Sequence, residues 1–439
     1  MGQQMKDSGF GWIGQVPSHW EVRKLKHFYK MQTGFTPDTK NEEYYDDEGG
    51  EDWITIGDLN GSKYIPEQTK SHISRKYIEE YQPQIVPKGS LLYSFKLSVG
   101  QVAFADRDVY TNEAIASFIK TDDNCLEYLF YSSYMIVENA NENIYGAKIL
   151  NQDLIRNAYI VYPPVDEQRN IATFLDRECT KVNKIIDKTK ESIEEYRRLK
   201  QAVITQAVTK GIRQNRDYQE SGITWIGQIP SEWDLMPFRH VLKERNEKNS
   251  PIKSTERLSL SIDLGVTLYA EKTTNLDRFK DDFEQYKLAH EGDLVMNSMN
   301  MIVGASGVSD YYGCVSPVYY TFYDDEVDHI TAKFCEYIFR SKTMLRVLFS
   351  LGKGIYAIVR GDDRVNTCRL KVAKEDLKNI IIPIPSIEEQ HEIVDYLNKK
   401  CQEIENLIIK KQSFIEELER YRNDLVFEYV TGKKEVPQS

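Results

Sequence analysis

The chain carries two copies of one long sequence unit. Among its 439 residues, SGFGWIGQVPSHW occupies residues 8–20 and SGITWIGQIPSEW occupies residues 221–233. A second matched pair lies further on, with PPVDEQRNIATFL beginning at Pro163 and PSIEEQHEIVDYL beginning at Pro385. Solenoids need three or more short repeats, so a long unit used only twice predicts two similar domains related by a pseudo-two-fold duplication.

A long polar–apolar segment follows each Glu-Gln pair and ends at a matching Val-Thr pair. Apolar residues recur in both segments at spacings of mostly three, four and seven, the pattern of helices in a coiled coil. The module between the two helices returns the chain, which favours antiparallel pairing. We predict a helix–helix seam formed by these residues: Leu175, Val182, Ile185, Ile404, Ile408 and Ile415.

The remaining sequence is strand-rich. Short segments such as WITIGDL and SLLYSFKL are bounded by Gly, Pro or Asp, which is typical of strands. The predicted fold class is therefore α+β: two α/β modules with strand-rich cores, separated by two long helices that pair as an antiparallel coiled coil. The predicted boundaries are residues 1–164 for the first module, 165–212 for the first helix, 213–385 for the second module, 386–432 for the second helix and 433–439 for a C-terminal tail.

Composition limits the cellular setting and the partners. The formal net charge is −11, which argues against a general nucleic-acid binder and requires any DNA contact to use local basic patches. No apolar run approaches the roughly 18 residues of a membrane span, and no signal peptide is evident. We expect a cytoplasmic protein that has no membrane partner.

Motifs for catalysis are absent from the sequence. There is no GxxxxGK[ST] phosphate loop, no HExxH and no GxSxG. The segment Val161-Tyr162-Pro163-Pro164-Val165 lacks both the Asn and the aromatic residue of an Asn-Pro-Pro-Tyr methyltransferase motif. The six cysteines and seven histidines are scattered. We therefore expect no catalytic residue, no metal site and no cofactor bound by this chain.

The doubled WIGQ motif, the PPVDEQ and PSIEEQ helix starts and their order resemble the specificity subunits of type I restriction–modification systems. The resemblance covers nearly the whole chain. It implies a prokaryotic, non-catalytic subunit whose two modules are target-recognition domains, each reading one half of a split, asymmetric sequence in double-stranded DNA. It also implies that the paired helices separate the half-sites.

The same resemblance implies the partners. Two methyltransferase subunits would bind the helices and carry S-adenosylmethionine, and restriction and motor subunits would use ATP and Mg. Two alternatives remain at this stage. One is a structural coiled-coil spacer that binds protein or carbohydrate partners through its modules, and the other is a self-sufficient methyltransferase or nuclease.

DNA readout needs polar and basic side chains at loop tips. On that basis the candidate DNA-binding residues of the first module are Thr33, Phe35, Thr36, Ser94, Lys96 and Lys148. Those of the second module are Asn297, Ser298, Asn300, Lys353, Tyr356 and Arg360. The tryptophans of the WIGQ motifs could stack on bases, but their duplication favours a packing clamp that joins module to helix.

Overall fold

The structure is a computed structural model. It describes residues 4–437 except for residues 47, 97, 139, 143–147, 263, 273–281, 356–357, 360–364 and 367–368.

The first module contains thirteen described strands and four short α-helices. The strands are β1 (Met5–Asp7), β2 (Gln15–Pro17), β3 (Glu21–Lys24), β4 (Met31–Thr33), β5 (Glu51–Ile54), β6 (His72–Ile73), β7 (Leu91–Ser94), β8 (Val102–Phe104), β9 (Tyr110–Thr111), β10 (Ile115–Phe118), β11 (Asn141–Glu142), β12 (Lys148–Ile149) and β13 (Tyr159–Tyr162). The helices are α1 (Arg75–Tyr81), α2 (Leu126–Ser132), α3 (Tyr134–Val137) and α4 (Gln152–Asn157). The long helix α5 (Val165–Lys210) follows.

The second module has sixteen described strands. They are β14 (Tyr218–Glu220), β15 (Gln228–Pro230), β16 (Asp234–Pro237), β17 (Lys243–Arg245), β18 (Leu258–Ser261), β19 (Gly265–Leu268), β20 (Lys287–Ala289), β21 (Leu294–Asn297), β22 (Ser306–Val308), β23 (Gly313–Val315), β24 (Tyr319–Tyr323), β25 (Lys353–Ile355), β26 (Ile358–Val359), β27 (Val365–Asn366), β28 (Arg369–Lys371) and β29 (Ile381–Ile384). Its helices are α6 (Tyr269–Lys272), α7 (Ile330–Arg340), α8 (Lys342–Leu351) and α9 (Lys374–Lys378), and the long helix α10 (Ile387–Val430) ends the module.

The same four-stranded antiparallel sheet forms the centre of each module. The strand order is β4-β10-β7-β8 in the first module and β17-β24-β21-β22 in the second. Every residue of β7 and of β21 is buried, as expected for short apolar strands packed on both faces. The shared order confirms the internal duplication that the repeated motifs predict.

A two-stranded pair connects each WIGQ motif to the start of a long helix. In the first module β3 pairs antiparallel with β13, and Glu21 lies opposite Tyr162. In the second module β16 pairs with β29 in the same way, and Asp234 lies opposite Ile384. Because β13 and β29 lead directly into α5 and α10, this pairing brings each motif beside the first turn of a long helix.

The chain forms two compact units. One contains residues 1–188 with 413–439, and the other contains residues 189–412. Each long helix is therefore shared between the units, whereas the predicted domains were consecutive segments. Residues 433–439, predicted as a tail, belong to the first unit, where Lys433 donates from Nζ to the carbonyl oxygen of Ile13 and Val436 packs against the core.

Within each unit the helical segments run antiparallel, as predicted. In the first unit, the ring of Phe174 lies 4.5 Å from that of Tyr429, and Nη1 of Arg422 donates to Oδ1 of Asn183 at 2.8 Å. The contacts progress along α5 in the forward direction and along α10 in the reverse direction.

The second unit has the same arrangement between the other halves of the two helices. Nζ of Lys411 lies 5.6 Å from the centre of the Tyr196 ring, and Nζ of Lys200 donates to Oε2 of Glu405 at 2.7 Å. The order of these contacts is again antiparallel.

Four of the predicted seam residues are buried: Leu175, Val182, Ile404 and Ile408. Ile415 is half-buried. The prediction for Ile185 is wrong, since its side chain is 44% exposed and that of Ile186 is 4% exposed. Steps of four and three residues from Val182 lead to Ile186 and to the buried Thr189. Because Thr189 is polar, it does not stand out as a seam position, and the heptad register is harder to find from the sequence.

Candidate nucleic-acid interface

Each WIGQ motif is joined to the start of a long helix by a tryptophan–glutamate hydrogen bond. Trp20 donates from Nε1 to Oε2 of Glu167 at 2.8 Å, and Trp233 donates to Oε2 of Glu389 at 3.0 Å. Both tryptophans are 3% exposed. A ring buried in this way cannot stack on a base, so the prediction of a packing clamp is confirmed for these two residues. The other two tryptophans of the motifs are half-buried against the same cores: Trp12 and Trp225.

The glutamine after each clamp glutamate fixes the first turn of the helix. Nε2 of Gln168 donates to the carbonyl oxygen of Pro163 at 2.7 Å, and Nε2 of Gln390 donates to that of Pro385 at 3.0 Å. Both glutamines are buried. These bonds explain why the Glu-Gln pair appears in both copies, since one side chain binds the motif and the next caps the turn.

The clamp tryptophans also contact the end of the other long helix. A Cβ added to Gly432 would lie 2.9 Å from the Trp20 ring, and one added to Gly211 would lie 3.1 Å from the Trp233 ring. Both glycines have positive φ, at 69° and 71°, a conformation that glycine adopts readily at the ends of helices. Each clamp therefore gathers a motif, the start of one long helix and the end of the other.

The two clamps differ in their charges. Glu167 also contacts Nε2 of His19 at 2.8 Å, and both side chains are substantially exposed. Glu389 instead receives hydrogen bonds from the buried Arg216, which also binds Glu232. The hydrogen bond to Glu389 raises the pKa of Arg216 above its ordinary value. The second clamp is thus a buried ion pair, and the first is a solvated contact.

The structure places Thr33 beside the start of α4. Thr33 ends β4, is half-buried and accepts a hydrogen bond from Nε2 of Gln152 at 2.9 Å. Thr36 is exposed. Phe35 is half-buried, with its ring 5.2 Å from that of Tyr77, so the ring belongs to an aromatic cluster.

The prediction for Ser94 needs correction. Its side chain is fully buried, its hydroxyl donates to the carbonyl oxygen of Ser98, and it accepts from the backbone N–H of Gln101 at 3.0 Å. Ser94 therefore closes the turn between β7 and β8 and does not face a ligand. Lys96 in the same turn is exposed, with Nζ 3.7 Å from Oε1 of Glu113. Lys148 is exposed in β12.

The loop after β21 in the second module holds three predicted residues in different environments. Asn300 is exposed. Asn297 is nearly buried, and its Oδ1 accepts from the backbone N–H of Met299 at 3.0 Å. Ser298 is fully buried, so its prediction as a DNA contact is corrected: strand ends alternate between core and solvent, and this side chain lies on the core side.

Further predicted residues of the second module lie beside this loop. The carbonyl oxygen of Ser298 accepts from the backbone N–H of Val372 at 3.0 Å. Lys353 is exposed on β25, which pairs with β28 just before Val372, and its Nζ donates to Oδ2 of Asp376 at 2.9 Å. The structure thus brings Lys353 close to the loop after β21. The predictions at Tyr356 and Arg360 fall outside the described residues.

Residues that the sequence reasoning missed surround this site. Lys371 is exposed on β28, opposite Lys353, and Lys374 begins α9. Gln152 occupies the corresponding first position of α4 in the first module. The three lysines between residues 371 and 378 are visible as a cluster in the sequence. Their position beside the loop after β21 depends on strand register, which sequence patterns do not show.

Two general observations hold for the residues that the structure describes. No group of three or more His, Cys, Asp or Glu side chains is arranged to hold a metal ion. Within the same residues, no helix combines the length and the apolar character needed to cross a membrane.

The fold and the doubled clamp define a two-module protein built around an antiparallel helix pair. A family model described as the type I restriction modification DNA specificity domain matches residues 17–195 and 269–413, which is more than half of the chain. The chain belongs to this family of type I restriction–modification specificity subunits. It is the non-catalytic subunit that confers DNA-target specificity, and the alternative of a coiled-coil spacer is not supported.

Curated proteins and solved structures agree with this assignment. The chain is 25% identical to the MjaIX specificity subunit of Methanocaldococcus jannaschii over 97% of this chain and 96% of that protein. It is 29% identical to the HindI specificity subunit of Haemophilus influenzae over 27% of this chain and 25% of that protein. The HsdS crystal structure from Thermoanaerobacter tengcongensis has a TM-score of 0.50 at 16% identity, with 95% and 98% of the two chains covered.

A chain from a solved type I restriction–modification system, in a study of complex assembly and conformational transition, shares the fold more closely. Its TM-score is 0.65 at 15% identity, with 95% of this chain and 99% of that chain covered. The likeness to this structure therefore extends over nearly the whole chain.

Proposed function

We propose that each module reads one half of a split DNA sequence, so that the whole chain selects a bipartite, asymmetric target. The observation that carries this proposal is that one scaffold presents different side chains. The two sheets have the same strand order, yet the turn that Ser94 closes in the first module is replaced in the second by the loop of Asn297 and Asn300. Because the two modules present different side chains on the same scaffold, we expect their two half-sites to differ in sequence.

Polar side chains at loop tips supply the contacts with DNA in this proposal. Asparagine reads adenine through a bidentate hydrogen bond, and lysine binds guanine edges or phosphates. The exposed or partly exposed candidates that meet these requirements are Thr33, Thr36, Lys96, Lys148, Asn300 and Lys353. Asn297 remains a candidate at the end of β21, although its side chain is largely buried.

The long helices form the platform for the partners in this proposal. Two methyltransferase subunits bind there, and restriction and motor subunits join the complex. S-adenosylmethionine belongs to the methyltransferase subunits, ATP and Mg belong to the restriction and motor subunits, and this chain binds no cofactor. The complex acts in the prokaryotic cytoplasm. Linking two weak readers makes the second contact with DNA intramolecular, which raises affinity without new contacts.

Methylation mapping tests the proposal directly. The chain is co-expressed with the methyltransferase encoded beside it in cells that carry a methyl-free plasmid, and N6-methyladenine is mapped on single molecules. We expect methylation at one split, asymmetric motif that disappears when this chain is omitted. Methylation that is independent of the chain, or confined to a palindromic motif, would contradict the proposal. Co-purification of the two proteins confirms that the complex has formed.

A further inference from the structure

We propose that the second module holds the DNA backbone through a lysine patch that the first module lacks. The lysine patch consists of Lys287, Lys353, Lys371, Lys374 and Lys378, of which the last two donate hydrogen bonds to Glu244. This inference rests on the proposed function, since it assigns the phosphate contacts of a DNA-reading module. Its ligand is the phosphodiester backbone of double-stranded DNA.

The first observation is the pairing of like charges across a two-stranded ribbon. Lys353 on β25 lies directly opposite Lys371 on β28, and both side chains are exposed. Like charges directly opposite each other on paired strands destabilise the pairing. A polyanion bound across the ribbon would relieve this repulsion, which gives the arrangement a function.

The second observation is that, among the described residues, lysines outnumber the carboxylates beside them. Lys374 and Lys378 both donate to Glu244, each at 2.6 Å, so that two cations share one anion. Lys353 is paired with Asp376 at 2.9 Å, and Glu375 on α9 is exposed. The described part of this site therefore carries more lysines than carboxylates, although the chain as a whole carries a net charge of −11.

Lys287 is the fifth lysine of the patch. Its Nζ donates to the carbonyl oxygen of Tyr319 at 3.0 Å. Burial lowers the pKa of Lys287 and the nearby charge of Lys374 lowers it further, whereas Glu244 raises it. Lys287 therefore lies within electrostatic range of both Lys374 and Glu244.

The third observation is the position of the patch beside the proposed reading loop. Val372 lies between Lys371 and Lys374, and its N–H donates to the carbonyl oxygen of Ser298 at 3.0 Å. Its carbonyl oxygen accepts from the hydroxyl of Tyr320 at 3.1 Å. The backbone that carries the lysines is thus fixed to the loop that exposes Asn300, so phosphate and base contacts can form together.

The fourth observation is the contrast with the first module, beginning with the ribbon. Asn141 on β11 pairs with Ile149 on β12, as Lys353 pairs with Lys371. In each module a short helix, α4 or α9, follows the ribbon. The strand that leads into a long helix, β13 or β29, follows that short helix. At equivalent positions the first module therefore has one neutral polar and one apolar side chain.

The helices that follow show the same contrast. Helix α4 begins at Gln152, three residues after the end of β12, and α9 begins at Lys374, three residues after the end of β28. Only the last equivalent pair is basic in both modules, with Arg156 matching Lys378. Three of the four positions thus change from neutral to lysine between modules.

Lysine is a flexible point charge that suits phosphate contacts better than base recognition. The patch therefore contributes affinity that depends on salt and not on base sequence. The two modules therefore bind their half-sites differently. The second module makes most of the contacts with phosphates, and the first depends more on its polar contacts.

The test measures binding of the complex with its methyltransferase to two fluorescent duplexes by anisotropy. One duplex carries the mapped target and the other has the same composition in scrambled order, and KCl ranges from about 50 to 300 mM. In the variant K353Q/K371Q/K374Q, we expect the slope of log affinity against log salt to fall by about 1 for each lysine, with equal weakening on both duplexes.

Two controls make the result decisive. The variant K333Q/K342Q removes two lysines from α7 and α8 and should leave the slope unchanged. The reciprocal variant N141K/I149K/Q152K should steepen the slope by installing the patch in the first module, and it decides the matter if the triple lysine variant fails to fold in thermal unfolding.

The proposal is contradicted if the slope of log affinity against log salt is unchanged in the triple lysine variant. It is also contradicted if the slope falls by the same amount as in the control K333Q/K342Q. A variant that no longer distinguishes the target duplex from the scrambled duplex, with no change in the salt dependence of affinity, also contradicts the proposal. These lysines would then read bases. Failure of the proposed function looks different, because the wild-type complex would bind the two duplexes equally.

Discussion

Nη2 of Arg216 lies 2.9 Å from Oε2 of Glu389, and the two side chains are 6% and 2% exposed. Removing the charge of Glu389 leaves Arg216 paired with the exposed Glu232, and a hydrogen bond to a charged group contributes about 1.5–3 kcal/mol. We therefore expect E389Q to lower the free energy of unfolding by that amount. The equivalent E167Q, whose partner His19 is exposed, should cost only about 1 kcal/mol. Urea unfolding of both variants measures the difference, and equal losses would contradict the asymmetry of the two clamps.

The helix seam provides a matched pair of neighbouring isoleucines. We expect I186A to lower the free energy of unfolding by about 2–4 kcal/mol, because it creates a cavity in a packed seam. The adjacent I185A removes a side chain that is 44% exposed and should cost less than about 1 kcal/mol. Thermal and urea unfolding compare them. A larger loss for I185A would mean that the seam follows the register predicted from the sequence.

Insertions in the long helices test whether the helices set the half-site spacing. Four residues added after Thr189 and four after Lys411 would lengthen each helix by roughly 6 Å. We expect the spacer between half-sites to grow by about one or two base pairs of ~3.4 Å, with both half-sites unchanged. Methylation mapping reads the spacer directly. An insertion in one helix only is the control, and it should impair assembly because the heptad registers no longer match. An unchanged spacer in the double insertion would refute a measuring role.

Glu244 makes stability depend on pH. Burial alone would raise its pKa, but hydrogen bonds from Lys374 and Lys378 outweigh burial and lower the pKa below the usual 4.5. A lowered pKa in the folded state stabilises the protein at pH values above the unfolded pKa, and this stability is lost as the pH falls through the folded pKa. We expect E244Q to lose about 1 kcal/mol at pH 7 and to match the wild type in the acid range. Unfolding of E244Q from pH 3 to 8 tests this, with the exposed E284Q as control. A loss that persists at low pH would show that the role of Glu244 is packing and not charge.

The sequence predicts the duplicated architecture well because the contacts that matter most are local or repeated. Trp20 and Trp233 lie in matching motifs, and Glu167 and Glu389 lie in matching helix starts, so the repeat itself points to a structural role. The helices are visible because seam residues such as Leu175 and Ile404 follow a regular spacing.

The candidate DNA contacts were harder to predict because they depend on register and on the direction of single side chains. Ser94 and Ser298 lie in the expected segments but point into turns or the core, and one position decides between core and solvent in a strand. The error at Ile185 has the same origin on a helix. The sequence prediction included Lys353 but not the other lysines of the patch, because the position of Lys353 opposite Lys371 arises only from strand pairing.

The first unit is assembled from two separate parts of the chain, residues 1–188 and 413–439. The end of α10 covers its core, since the hydroxyl of Tyr128 donates to the carbonyl oxygen of Val430 at 2.9 Å, and Gly432 lies against Trp20. Domains usually fold as their segments emerge during synthesis, but this unit must wait until α10 has been translated, after the whole second module. A chain that stops before α10 therefore leaves an exposed apolar surface on the first module, which marks it for chaperones and proteases. Only chains that include α10, and therefore both modules, can complete the first unit.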